Sequence, residues 1–294
     1  MKKILLAAAV ALAVGSMASA QVADAFSSSL NDFLGEINTA LPDNAVIGGT
    51  WSDAYIGQIV GIPPHFGIGI ATGVTSFPSK GFKDAMELTG TKLPTDTLIL
   101  PNVAVEGRIG GFILPFDIGL RVGMLPSNTE IFGVKADYLH YGVDVRYALL
   151  KGGLVLPAIS VGLGYYHTDG SFNFPLTAGA TFGSSVPGVL ADEKVNLGLD
   201  FATDAFELKA QVSKSFIVIT PYAGVGAFMA TSKSSYLLDS SVADVTDSKK
   251  DTVYGARVFG GFSFNVLVLK FDTTASYDVL TGNWGGNLGA RIQL

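Results

Sequence analysis

A chain of 294 residues with no cysteine and with 25 acidic against 19 basic residues offers no basic surface for nucleic acid and no disulfide to brace an exported fold. Its 36 glycines, 19 phenylalanines and charged fraction of only 15% suit a sheet protein with one greasy face. The formal charge of −6 becomes −8 once Lys2 and Lys3 leave with the leader that opens the chain.

That leader, residues 1–20, carries Lys2 and Lys3, an apolar core from Ile4 to Val14, and Ala18-Ser19-Ala20 ahead of Gln21. It reads as a cleaved Sec-type signal peptide, and without a cysteine at the cleavage point there is no lipoprotein attachment. No later stretch reaches the roughly 18 uninterrupted apolar residues of a membrane helix, which argues against a helical inner-membrane protein.

From Val22 to Leu41 the residues Val22, Phe26, Leu30, Phe33, Leu34, Ile37 and Leu41 recur at helical spacing. The spacing predicts an amphipathic helix, poor in Lys and Arg, that either plugs a barrel from within or below or trails as a frayed lead-in. Ala45 to Pro64 reads as loop or a short extra strand around Ala54 to Val60. Residues 21–64 are thus a helix and lead-in, ahead of a barrel over residues 65–294.

In the barrel segment the period changes to two. Phe66, Ile68, Ile70, Thr72 and Val74 alternate with glycine and alanine, and Ile118, Leu120 and Val122 alternate with Asp117, Gly119, Arg121 and Gly123. About ten such strands are predicted, near 66–77, 98–111, 116–125, 136–149, 154–167, 196–213, 216–230, 252–264, 267–279 and 284–294, with eight or twelve as alternatives. Tight connections at Phe112–Pro115, Lys151–Gly153, Lys214-Ser215 and Asn265-Val266 alternate with longer ones at Pro126–Lys135, Asp169–Lys194 and Thr231–Asp251. A polar stretch from Pro78 to Asp96 holds one helical turn around Phe82 to Leu88. Short turns on one side and long loops on the other are the pattern of an all-β transmembrane antiparallel barrel in an outer membrane. A secreted sandwich or a lipocalin-like barrel would carry polar outward faces. Aromatics gather near the tight turns (Phe112, Phe116, Tyr147, Phe216, Phe262, Phe264) and toward the far side (Tyr165, Phe228, Tyr254, Tyr277, Trp284), as two interfacial belts would.

With the apolar face outward, the lumen receives Glu106, Arg108, Asp117, Arg121, Asp144, Arg146, Glu207, Lys209, Lys270, Asp272, Asp278 and Arg291. A two-residue turn at Ile113-Leu114 sets Glu106 opposite Arg121 and Arg108 diagonal to Asp117, one cross-strand network. A turn at Thr281-Gly282 sets Asp272 opposite Arg291, and one at Lys214-Ser215 sets Lys209 opposite Thr220 and Glu207 opposite Tyr222. These charges either tie strands in a filled lumen or line a narrow water path. Ser160, Gly162 and Gly164, with Gly224 and Gly226, form a nearly bare wall against which the helix packs, unless they serve sheet curvature alone.

The three histidines, His65, His140 and His167, form no recognisable catalytic or transition-metal constellation, so no enzyme, cofactor or metal is expected. The segment Thr220-Pro-Tyr-Ala-Gly-Val-Gly-Ala resembles a Pro-Tyr-x-Gly-x-Gly strand of the OmpW-like porins, small Gram-negative outer-membrane barrels. The helix ahead of the barrel resembles the hatch of FadL-type long-chain fatty-acid transporters. The final alternation of Leu288, Ala290, Ile292 and Leu294 suits recognition by the outer-membrane assembly machinery, though such barrels generally end in an aromatic residue. These resemblances imply passive passage or capture of a small apolar or amphipathic solute, with membrane lipid as the other partner. The alternative is a closed structural or adhesive barrel acting through its outer loops.

Overall fold

The computed structural model describes residues 2–48, 50–61, 64–88, 90, 92–131, 134–177, 194–239 and 245–294. Helix α1 (Lys2–Ile47) precedes β1 (Phe66–Pro78), α2 (Lys80–Leu88), β2 (Thr97–Gly110), β3 (Phe116–Ile131), β4 (Val134–Lys151), β5 (Ala158–Thr177), β6 (Lys194–Ser213), β7 (Ile219–Asp239), β8 (Val245–Val266), β9 (Leu269–Asp278) and β10 (Trp284–Gln293). Each strand pairs antiparallel with its neighbours, and β1 pairs with β10 to close a ten-stranded barrel. Closure satisfies the backbone groups that an open edge would leave bare, a condition lipid imposes strictly.

The alternation sorts the two faces. Leu120 (62% exposed), Leu208 (57%) and Val225 (56%) stand on the outer wall, while Asp117, Arg146 and Glu207 are buried inside. A closed barrel that is apolar outside and charged inside is the inverse of a soluble one and spans a membrane. Among the described residues no helix is long and apolar enough to cross a membrane.

The wall is uneven in height. Strands β5 to β8 run 20 to 22 residues, whereas β9 and β10 have 10 each. The stretches expected as long loops are therefore largely sheet: β3 and β4 reach Ile131 and Val134, β5 continues to Thr177, and β7 and β8 extend to Asp239 and from Val245. Polar alternation in those stretches still pairs as ladder above the apolar band. The rest of the expected outer loops, residues 132–133, 178–193 and 240–244, lies outside the described residues.

Four turns lie elsewhere than expected, and the register moves with them. Between β4 and β5 the tip is Leu154-Val155, closed by Gly153 N–H donating to the Leu156 carbonyl at 3.0 Å, instead of Lys151–Gly153. Between β8 and β9 it is Leu267-Val268, because Asn265 and Val266 still pair with Lys270 and Leu269. Between β6 and β7 the tip is Ile217-Val218, closed by Phe216 N–H donating to the Ile219 carbonyl at 2.8 Å, so Lys209 faces Gly226 and Glu207 faces Phe228 instead of Thr220 and Tyr222. Between β9 and β10 the Asp278 carboxylate accepts from the N–H groups of Leu280 (2.8 Å) and Thr281 (2.9 Å), which widens the turn. Asp272 then faces Gly289, and Arg291 faces Lys270. Between β2 and β3 the expected register holds, with Glu106 facing Arg121.

Helix α1 is amphipathic as its spacing predicts, with Phe26, Leu30, Phe33, Leu34, Ile37 and Leu41 all buried. It continues past Leu41 through Pro42 to Ile47. Proline costs the helix one N–H bond there, and wall contacts compensate: Asn44 donates to the Leu100 carbonyl at 2.9 Å and Asp43 accepts from Asn283 at 2.7 Å. The helix enters from the loop side and descends inside the barrel. From Thr50 the chain runs on as an irregular segment, not a strand, to the tight-turn side, where His65 hydrogen-bonds the Leu294 carbonyl at 3.2 Å.

Candidate functional site

The lumen has two halves of opposite character. On the loop side, α1 sets Phe26, Leu30, Phe33, Leu34, Ile37 and Leu41 against inward-facing Phe77, Leu100, Tyr138, Leu197, Leu199, Phe201, Tyr236 and Leu238 of the wall, with Phe82 and Met86 of α2 closing the top. The Phe33 and Phe82 rings lie 4.9 Å apart. Glu36 of α1 accepts from Gly81 N–H at 3.0 and 3.1 Å and so caps the start of α2. On β6 the alternation is present but inverted, with Leu197, Leu199 and Phe201 inward and Asn196, Gly198 and Asp200 outward, so an expectation of apolar-out and polar-in concealed this half.

On the tight-turn side the wall is charged and largely paired with itself. Arg108 lies between Asp117 (Nη1 to Oδ1 2.5 Å) and Asp144 (Nη2 to Oδ1 2.7 Å), and Arg146 holds Asp117 from the other side at 2.8 Å. Arg121 approaches Glu106 at 3.5 Å, and Lys209 lies 3.7 Å from Asp144 and 4.0 Å from Glu207. Every charged residue expected in the lumen is placed there, including Lys270, Asp272, Asp278 and Arg291. Arg291 pairs with Asp272 diagonally, across the shifted register.

Sequence reasoning missed three participants. Arg257 binds Glu207 at 2.6 Å; its inward neighbours on β8 are Gly255 and Phe259, with Val253 beyond, so the strand lacks the polar stripe that would mark an inner face. Asp53 accepts from Lys270 (2.6 Å) and Arg291 (3.0 Å), and Trp51 donates to Glu106 at 2.9 Å while lying 4.6 Å beneath the Arg291 guanidinium. Both belong to the aperiodic segment after α1. Burial opposes the charge of Asp53, and the neighbouring Lys270 and Arg291 overcome it, holding its carboxyl below the usual range. Two further wall side chains grip the same segment: Arg146 donates to the Asp53 carbonyl at 2.7 Å and Gln211 to the Trp51 carbonyl at 2.7 Å.

The glycine wall meets other neighbours than expected. A Cβ at Gly162 would touch Arg146, at Gly164 the Tyr166 ring, at Gly224 the Phe259 ring and at Gly226 Glu207, so these gaps, beside buried Ser160, are filled by the wall's own large side chains and not by α1. Wall glycines that admit the N-terminal segment include Gly73 and Gly285, beside Ile47, Gly67, beside Trp51, and Gly110, against the backbone of Gly57 and Gln58. Phe228, expected in the outer belt, is buried inside with Val46.

Near the middle, Asp43 accepts from Thr281 and Asn283. Burial first, and then the nearby Asp278 carboxylate, push its carboxyl up to about 7. A void of about 10 Å³ beside Trp51, Arg108, Asp144 and Tyr166 holds about one water. At the tight-turn mouth a cleft of about 880 Å³ opens between the β4–β5 and β6–β7 turns, with Asp53 and Tyr55 at its floor. His140 is buried against Thr168 at 2.6 Å; His167 sits between Asp204 (2.8 Å) and Asp169 (3.1 Å) on the outer face midway along β5.

No protein-family model matches the sequence, and no curated protein matches it either. Among solved structures the chain is similar to the outer-membrane protease OmpT of Escherichia coli, with TM-score 0.47 and 11% identity over 79% of this chain and 97% of that one. It is also similar to the translocator domain of the autotransporter NalP of Neisseria meningitidis, with TM-score 0.40 and 10% identity over 91% and 97%. A third is Ail, the attachment invasion locus protein of Yersinia pestis, with TM-score 0.29 and 11% identity over 78% and 97%.

Proposed function

We propose that this is a plugged outer-membrane barrel, exported through a cleaved signal peptide, whose residues 21–61 occupy a passage for a small apolar or amphipathic solute. The observation that carries this reading is the split interior: inward apolar side chains line the loop-side half and charged ones the tight-turn half. Such a tube is itself amphipathic. Helix α1 fills the apolar half as a solute's tail would, and the Trp51–Asp53 segment fills the polar half. Much of the charged wall is paired without the plug, through Arg108, Asp117, Asp144, Arg146, Glu207 and Arg257, so withdrawing the segment leaves those pairs intact.

The protein acts without a covalent step in this reading. Both ring nitrogens of His167 face carboxylates, an arrangement that positions the ring but offers it no hydroxyl to activate. The rival reading, a permanently closed structural barrel, draws its support from the one-water void.

Liposome swelling and planar-bilayer conductance decide between them. The full mature chain is expected to be closed, and a chain lacking residues 21–61 to pass small solutes and to take up a fluorescent fatty acid. No conductance and no uptake in either form favours the closed barrel. Release of a product from phospholipid or peptide substrates would overturn the non-enzymatic part.

A further inference from the structure

The tight-turn pole has the wrong chemistry for water. The four turns there, residues 111–115, 151–157, 214–218 and 266–269, contain no acidic residue, and their only charges are Lys151 and Lys214. Their tips project Ile113 (86% exposed), Leu154 (101%), Val155 (86%), Ile217 (97%) and Leu267 (97%) away from the molecule. Turn tips in water carry Gly, Asn and Asp.

Two further observations bear on what surrounds them. Leu267 sits at φ +55°, a left-handed conformation that a leucine adopts at a cost and that hairpin turns ordinarily give to Gly or Asn. Almost fully exposed, it gains no packing within the chain to offset that cost. Lys214 crosses from the end of β6 to the neighbouring turn and donates to the carbonyls of Gly153 (2.7 Å), Leu154 (2.7 Å) and Leu156 (3.2 Å). All three of its donors are thereby used, and a turn that would otherwise need water for its carbonyls is satisfied by protein.

The height of the wall fits. On β9 the outward Tyr277, its ring tilted against Trp284 with centroids 4.5 Å apart, marks the upper belt, and Leu267 lies ten residues below it. At a rise of about 3.3 Å per residue and a tilt of about 40°, that is about 25 Å along the membrane normal, the height of a barrel's apolar band. The band therefore reaches the turn tips with no polar collar beneath it.

We infer that the tight-turn pole ends within the membrane, its turn tips dissolved among the acyl chains of the inner leaflet instead of standing in the periplasm. The occupant of this surface is lipid because the apolar tips continue the lipid-facing wall without a break. The inference rests on the membrane placement in the proposed function and is independent of the solute. One consequence is that the 880 Å³ cleft between the Leu154 and Ile217 turns opens toward lipid, giving an amphipathic solute a route from the lumen into the leaflet.

The absence of native cysteine permits a clean test. Single variants Leu154→Cys and Ile217→Cys of the full mature chain, checked for strand content by circular dichroism, carry a nitroxide label in phosphatidylcholine–phosphatidylglycerol vesicles at high lipid excess. Collision with oxygen, which concentrates in acyl chains, is compared with collision with a water-soluble nickel chelate. Leu208→Cys on the mid-wall and Lys250→Cys on a loop-side strand serve as references. Labels at 154 and 217 are expected to favour oxygen, as at 208. Nickel-dominated collision at the tips, with oxygen-dominated collision at 208, places them in water and overturns the inference alone. Shielding from both agents assigns them to a second copy and also overturns it. Nickel-dominated collision at 208 removes the membrane reading itself.

Discussion

The loop-side and tight-turn halves of this barrel are mirror images in polarity. Inside, the loop side is apolar and the turn side charged; at the rims, the loop side carries Lys80, Lys83, Asp84, Glu87, Glu130, Lys135 and Asp137 while the turns carry leucine, isoleucine and valine. Each surface thus follows what it meets. An amphipathic helix requires an apolar sleeve, an irregular segment with bare backbone carbonyls requires donors, and a rim takes the polarity of its solvent. In a soluble protein one rule would cover every face; here four environments act on one sheet.

The comparison breaks hardest at Arg108, where the charged half holds two carboxylates on one guanidinium. Arg108→Met leaves Asp117 with Arg146 alone and Asp144 with the more distant Lys209, and is expected to cost about 3–5 kcal/mol, the range for removing one partner of a buried pair. A urea midpoint in detergent or vesicles measures it. An unchanged midpoint would mean that water already screens this half.

Leu34, fully buried in the apolar half, tests the sleeve. Leu34→Ala is expected to weaken docking of α1 by about 2–4 kcal/mol. If the plug is separable, hydrogen exchange rises in α1 while the ladder of β6 to β8 keeps its protection, and conductance openings become more frequent. Equal loss of protection in helix and wall would show that the sleeve and plug are one cooperative core.

A gentler lever is pH, acting at Asp43 where the two halves meet. Its seated carboxyl titrates near 7 against an ordinary value of 3.8, raised by burial and by Asp278. The seated form binds the proton more tightly than the released form, so this contribution is full below about pH 4 and is lost as pH rises through about 7. The plug is expected to release more readily at pH 8 than at pH 5. Asp43→Asn abolishes the difference; persistence of the same pH dependence in that variant would assign it elsewhere.

How much of this was legible in the sequence follows from where alternation survives. Between Phe116 and Met124 a polar stripe faces an apolar one, and Asp117, Arg121 and their partners could be placed by counting. Arg257 had inward neighbours as apolar as its outward ones, and Trp51 and Asp53 lie in a segment with no period at all. Ile217-Val218 is a turn built from strand-like residues, because its tip answers to an apolar surrounding and not to turn propensity. At β9–β10 the Gly282 signal drew the turn centre two residues' worth of register away from its place, while the Asp278 side chain decided it.

That last displacement yields the finest test of the comparison, since the loop-side turn alone sets which charges meet in the turn-side half. Residues facing each other in an antiparallel pair lie within disulfide reach, with Cα atoms roughly 4.5–5.5 Å apart, whereas a diagonal step is longer. Asp272→Cys with Gly289→Cys is therefore expected to cross-link on mild oxidation, and Asp272→Cys with Arg291→Cys to remain largely reduced. The reverse outcome would move β10 by two residues. Because β10 also pairs with β1, that shift would carry Arg291 away from Gly69 and undo its seat over Trp51, so a single oxidation gel reports on closure and on plug docking together.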